Sequence, residues 1–141
     1  MVVRVVVAVA ILAVAAGIAW WLERRRVAAP PSQGRAVAPE QLDRNDFPRP
    51  DAPWLVVLFT SRHCDSCAGL VDKALPLASD DVAVVEVEYT LQPDLHARYQ
   101  IDAAPITVLV DREGVTRAAF IGAYSAPDLW SALADLRATP S

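Results

Sequence analysis

An α/β layer fold with a mixed sheet is what this sequence predicts, and three observations predict it. Four short apolar runs read as strands, helical spacings fall between and after them, and a tight turn joins the last two runs. In chain order this gives strand, helix, strand, helix, an antiparallel strand pair and a closing helix.

The first strand is Trp54 to Thr60 (WLVVLFT), a continuous apolar run rich in valine and leucine, as suits a central strand covered on both faces. Val82 to Tyr89 and Ile106 to Val110 are the second and third strands. A fourth runs from Val115 to Ile121, after the turn Asp111-Arg112-Glu113-Gly114. Between the first two strands, Leu70 with Ala74 and Val71 with Leu75 repeat at helical spacing, so a helix is expected over Ser66 to Leu75, stopped by Pro76. Asp94 to Gln100 is a weaker helical stretch. Ala126 to Leu136 carries Leu129, Leu133 and Leu136 on one stripe, and Ser125 with Asp128 resembles a capping box at its start.

Three segments divide the 141 residues: 1–26, an apolar stretch with a basic flank; 27–40, a proline-rich linker; and 41–138, one folded domain. Residues 1–39 carry five arginines against Glu23, whereas residues 40–141 carry eight basic against sixteen acidic side chains. An acidic domain repels phosphate backbones, so nucleic acid is not expected as a partner. Val5 to Leu22 holds no charge over eighteen residues, and Trp20 and Trp21 stand near its end. Roughly 18 to 20 apolar residues span a hydrocarbon core, so the segment is expected to be a single-pass transmembrane helix, with the membrane as a partner. Arg24, Arg25 and Arg26 at its exit favour a cytoplasmic domain, with an extracytoplasmic one left open. A cleaved secretory signal is the competing reading.

Both cysteines fall in Cys64-Asp65-Ser66-Cys67, directly after the first strand. Positions i and i+3 of a helix share a face, so the two sulfurs can bond and separate with little rearrangement. Cys64 at a helix N-terminus, beside Arg62 and His63, has the setting that stabilises a thiolate, which makes it the expected nucleophile. Cys67, one turn inside the helix and less exposed, would resolve a mixed disulfide. A structural disulfide is the plain alternative, although closing so short a loop constrains the unfolded chain little. A soft-metal site is another, with His63, Cys64 and Cys67 as ligands and His96 as a fourth. By itself His63 reads as a solvent-exposed neighbour, and His96 as a surface or half-buried histidine.

Residues 41–137 resemble thioredoxin. Leu42 to Phe47 looks like that family's opening segment, Trp54 to Thr60 like its central strand, and Cys64 to Cys67 like its active-site turn. Tyr99-Gln100-Ile101 followed by Ala104-Pro105 is similar to the stretch leading into its cis-proline, and Gly114 and Gly122 match its hairpin turn and a later glycine. The resemblance implies a thioredoxin-like fold, a central mixed sheet flanked by helices. It also implies a cis Pro105 that, with Ala104, would orient an extended substrate. The sequence departs from the pattern in placing Asp65-Ser66 between the cysteines and His63 before them. The family's buried carboxylate aligns with Leu58 and its lysine partner with Glu86, while Pro48, Pro50 and Pro53 truncate the first helix.

The expected activity is therefore thiol-disulfide exchange on protein disulfides or dithiols, with Cys64 and Cys67 catalytic and no cofactor. Ala104 and Pro105 would bind substrate, Arg62, His63, Asp65, Ser66 and Glu86 would modulate the pair, and a redox partner would regenerate it. Copper or zinc binding, or a non-catalytic thioredoxin-like interaction module, is the alternative.

Overall fold

The computed structural model describes residues 1–25 and 37–139. The chain divides into two units, Met1–Ser32 and Gln33–Ser141. Most of the expected linker, with Arg26, lies outside the described residues, as do the side chains of Trp20, Trp21, Arg24 and Arg25.

The first unit contains one helix, α1 (Val2–Arg25). The expectation of a transmembrane anchor is corrected: among the described residues, no helix is long and apolar enough to cross a membrane. The single-pass membrane localisation and the cytoplasmic orientation deduced from the arginine flank fall with that anchor.

The second unit is built on four strands, β1 (Trp54–Thr60), β2 (Val82–Glu88), β3 (Ile106–Val110) and β4 (Thr116–Ile121). Their order is β2-β1-β3-β4. β2 runs parallel to β1, whereas β3 pairs antiparallel with both β1 and β4, which gives the mixed sheet the element order predicts. The apolar runs of β1 and β3 belong to central strands: six of the seven β1 residues and all five of β3 are buried.

Alternation along β1 divides the core in two. Leu55, Val57 and Phe59 face a cluster with Leu42, Phe47, Ile101 and Val108. Val56 and Leu58 face Leu70, Ala74, Leu129 and Leu133, which belong to α2 (Leu70–Ala74) and α4 (Ala126–Ala138). The capping expected at the start of α4 is present, since the Ser125 hydroxyl accepts the Asp128 backbone N–H. The remaining helix, α3 (Pro93–Arg98), is short and contacts β2.

The helix expected over Ser66 to Leu75 is not continuous. A three-residue 3-10 turn, Asp65–Cys67, comes first, and Gly69 at φ 73° breaks the chain before α2 begins. Only glycine adopts that left-handed conformation readily, which is why the apolar spacing further on did not carry the helix back to the cysteines.

The truncated first helix is reduced to a 3-10 turn, Arg44–Asp46. Two guanidinium groups hold the proline-rich segment that follows. Arg44, 7% exposed, donates to the carbonyls of Asp111 at 2.8 Å, Ala52 at 2.9 Å and Arg49 at 3.3 Å. Burial lowers its pKa from the usual guanidinium value, while the Asp111 carboxylate opposes that shift. Arg49 reaches the carbonyls of Ser79 at 2.7 Å and Val82 at 3.2 Å, and that of Asp80 as well. Gly114 closes the β3–β4 turn against Leu42, and a Cβ there would lie 2.0 Å from the Leu42 carbonyl oxygen, so the turn accepts only glycine.

Candidate active site

The sheet register gathers the expected site residues at one end. Phe59 in β1 pairs with Ile106 in β3, and Thr60 with Glu88 in β2. The loop leaving β1 toward Cys64, the peptide entering β3 at Pro105 and the loop leaving β2 thus share that end. Ala104-Pro105 is cis, as the thioredoxin resemblance implies, and the Pro105 carbonyl accepts the Gly122 N–H at 2.9 Å.

A β-turn delivers the first cysteine. The Cys64 N–H donates to the Ser61 carbonyl at 3.1 Å, with Arg62 and His63 at the turn's exposed corners. Cys64 then caps the 3-10 turn, whose own bond runs from the Cys67 N–H to the Cys64 carbonyl at 3.1 Å. A disulfide joins Cys64 and Cys67 across a Cα–Cα distance of 5.4 Å.

Two expectations about this pair need correction. Cys67 does not sit inside an α-helix, and Cys64 opens a 3-10 turn rather than a helix; both are half-buried. A three-residue turn carries only a fragment of the dipole of a full helix, so helix electrostatics contribute little to the Cys64 thiolate. The Ser66 hydroxyl is better placed, with Oγ 3.4 Å from the Cys64 sulfur. A thiolate can only accept, so in the dithiol state this hydroxyl would donate to it.

The other expected modulators are spread around the turn. Asp65 is exposed beside the cysteine it follows. Glu86 is exposed on β2, where its Oε1 accepts the Thr60 hydroxyl at 2.6 Å. Beneath the loop, Leu58 is fully buried in register with Glu86 on one side and Thr107 on the other. Thr107 in turn donates to the Tyr124 hydroxyl at 3.2 Å, and burial raises the Tyr124 pKa, which keeps that phenol neutral.

His96 is not at the surface. It is 3% exposed, its ring stacks edge-on with Phe59 and Tyr89, and Nε2 donates to the Val87 carbonyl at 2.8 Å. That bond leaves Nδ1 as the one ring nitrogen that could meet a metal in the soft-metal reading. Among the described residues, no group of three or more His, Cys, Asp and Glu side chains is arranged to hold a metal ion.

Sequence reasoning missed Glu88, two positions beyond Glu86 on the same face of β2. Its Oε1 accepts the Arg62 backbone N–H at 3.0 Å. Oε2 accepts the N–H groups of Thr90 at 3.0 Å and Leu91 at 3.1 Å, together with the Thr90 hydroxyl. The Arg62 Nε lies 3.8 Å away. The alternation V-E-V-E was the available signal, since two glutamates on one strand face at a sheet end invite a search for the donors they serve.

The Thr90 hydroxyl, followed by the backbone N–H donors, lowers the Glu88 pKa from 4.5 to about 2. A depressed carboxylate contributes stability above its ordinary pKa and loses that contribution as pH falls through the folded value. The urea midpoint of a Glu88→Ala chain should therefore lie below that of the wild type at pH 6, and the gap should close between about pH 4.5 and 2. A gap that stays constant across that range would contradict the assigned hydrogen bonds.

No family model and no curated protein matches the sequence. Solved structures do match. A Fasciola hepatica thioredoxin is 23% identical at a TM-score of 0.51, covering 61% of this chain and 83% of its own. Chloroplastic thioredoxin z is 21% identical at 0.55, with coverages of 63% and 81%. A mutant thioredoxin from Halobacterium salinarum is 19% identical at 0.54, with coverages of 64% and 80%. The chain therefore has the thioredoxin-like fold. At these identities the likeness establishes architecture alone.

Proposed function

We propose that this chain is a thiol-disulfide oxidoreductase acting on protein disulfides or dithiols, with Cys64 and Cys67 as the working pair. The observation that carries the reading is the disulfide in a turn between β1 and α2, at the sheet end that also holds the cis Ala104-Pro105 peptide. In the reductive direction the Cys64 thiolate attacks a substrate sulfur, forming a Cys64–substrate disulfide and expelling one substrate thiolate. Cys67, deprotonated, then attacks Cys64. The intramolecular disulfide forms, the second substrate sulfur leaves as a thiolate, and two electrons have passed from the pair to the substrate. An external dithiol restores the pair by the same steps reversed.

Ala104 and Pro105 would support an extended substrate backbone beside the sulfurs. Ser66 would donate to the Cys64 thiolate, Arg62 and His63 would add positive or titratable character nearby, and Asp65 and Glu86 would oppose it.

Equilibration of the full chain in glutathione buffers tests the proposal. A single two-electron transition between dithiol and disulfide is expected, tenfold in equilibrium constant for each roughly 30 mV. Dithiothreitol-driven reduction of insulin should be accelerated by the wild type and not by Cys64→Ser. A pair that stays locked in one state across all buffers would refute the assignment.

A further inference from the structure

We infer that Glu88 is a positioning residue for Cys64, acting through the backbone of Arg62. The inference rests on the exchange chemistry proposed above and adds a residue to it.

The geometry is that of a bridge between two turns. On one side, Oε1 takes the Arg62 N–H, the donor at the first corner of the Ser61–Cys64 turn, which the turn's own hydrogen bond leaves free. On the other, Oε2 takes the N–H groups of Thr90 and Leu91 and the Thr90 hydroxyl, closing the turn after β2. The following N–H groups are served within the loop, that of His63 by the Ser61 hydroxyl at 3.4 Å and that of Cys64 by the Ser61 carbonyl at 3.1 Å. Tyr89 N–H to the Thr60 carbonyl, 3.0 Å, is the last bond between the two segments before Glu88 spans them. Beyond Thr60 the loop has left the sheet, and in this network the carboxylate is its tie to the β2 side.

Fixing Arg62 fixes the turn, and the turn sets where the Cys64 sulfur stands relative to the Ser66 hydroxyl, 3.4 Å away. If the tie is cut, that hydroxyl no longer meets the thiolate reliably, the Cys64 pKa rises and the fraction of reactive sulfur at neutral pH falls. Simple electrostatics predicts the opposite sign. Deleting a negative charge near a thiol favours its thiolate, so a purely charge-based role for Glu88 would make Cys64 more reactive once the carboxylate is gone.

The test is the rate of Cys64 alkylation by iodoacetamide in the reduced full chain, followed against pH with the site assigned by mass spectrometry. Glu88→Ala removes the whole bridge. Glu88→Asp keeps the charge and can still close the Thr90–Leu91 turn, but is one methylene too short to reach Arg62 as well. Both variants should alkylate Cys64 about tenfold more slowly at pH 7, with the pH midpoint moved upward, as expected when a reacting group is displaced by a fraction of an ångström. The thermal midpoint of Glu88→Asp should stay near that of the wild type, so the Asp variant decides the matter even where the Ala variant fails to fold. Wild-type rates in Glu88→Asp, or faster alkylation in a folded Glu88→Ala, would overturn the positioning role. Because alkylation needs no disulfide substrate, this outcome is separate from the glutathione result that would refute the oxidoreductase assignment.

Discussion

A Cys67→Ser chain given a disulfide substrate is expected to accumulate as a covalent adduct through Cys64 and to stop turning over. The two positions are joined by a bond in the structure, with Cα atoms 5.4 Å apart, so the second sulfur is already within reach of the first. An intramolecular thiolate acts at an effective concentration of molar or more, against millimolar thiol in solution. Its loss should slow release, and with it steady-state reduction, on the order of a thousandfold. Non-reducing gels and intact mass measure the adduct, which Cys64→Ser should not form. Should the adduct instead appear on Cys67 in Cys64→Ser, the two cysteines exchange roles.

The largest effect on stability is expected at Arg44, far along the strands from the sulfurs. Asp111, whose carbonyl it binds, follows the end of β3, whereas Pro105 precedes its start. Replacing Arg44 with alanine strips a charged partner from the carbonyls of Asp111 and Ala52 in a buried place and leaves a cavity among them. Each buried carbonyl that loses its donor costs about 1–3 kcal/mol, although Asp111 keeps the Gly114 N–H, so the sum should be about 3–5 kcal/mol. For a domain of about a hundred residues that corresponds to a fall of roughly 15–30 °C in thermal midpoint. Arg44→Lys should recover part of it, because an ammonium can serve one or two of the three acceptors without the planar fork. A fall of only a few degrees in Arg44→Ala would show that water replaces the guanidinium freely.

The central strands were legible because short valine, leucine and isoleucine runs bounded by turn residues suit strands buried on both faces. The cysteine turn was legible as chemistry and misread as geometry. Leu70, Val71, Ala74 and Leu75 mark a helical face correctly, but nothing in apolar spacing announces that Gly69 will adopt a left-handed conformation and sever that helix from the cysteines. His96 reads from sequence as a surface or half-buried histidine because a polar residue on a short, weakly patterned helix ordinarily is; the Val87 carbonyl that takes its ring N–H comes from β2, and long-range pairings of this kind leave no local trace. Arg44 escaped for the same reason, since its partners are backbone carbonyls, which carry no signature in side-chain type, whereas the only mark of Glu88 was the V-E-V-E alternation. The apolar N-terminal run met a compositional rule for a membrane span, but the described part of α1 supplies no helix long and apolar enough to cross one.

The fully buried Leu58 has a consequence for how protons move. In the exchange proposed above, Leu58 could take no proton from the second thiol, and one Glu86 oxygen is already engaged by Thr60, so the hydrogen would pass to solvent. Ring closure would then follow the thiolate fraction, speeding up about tenfold per pH unit in acid. The chain would work as a slow exchanger under acid conditions and a quick one in alkali, its tempo set by the medium.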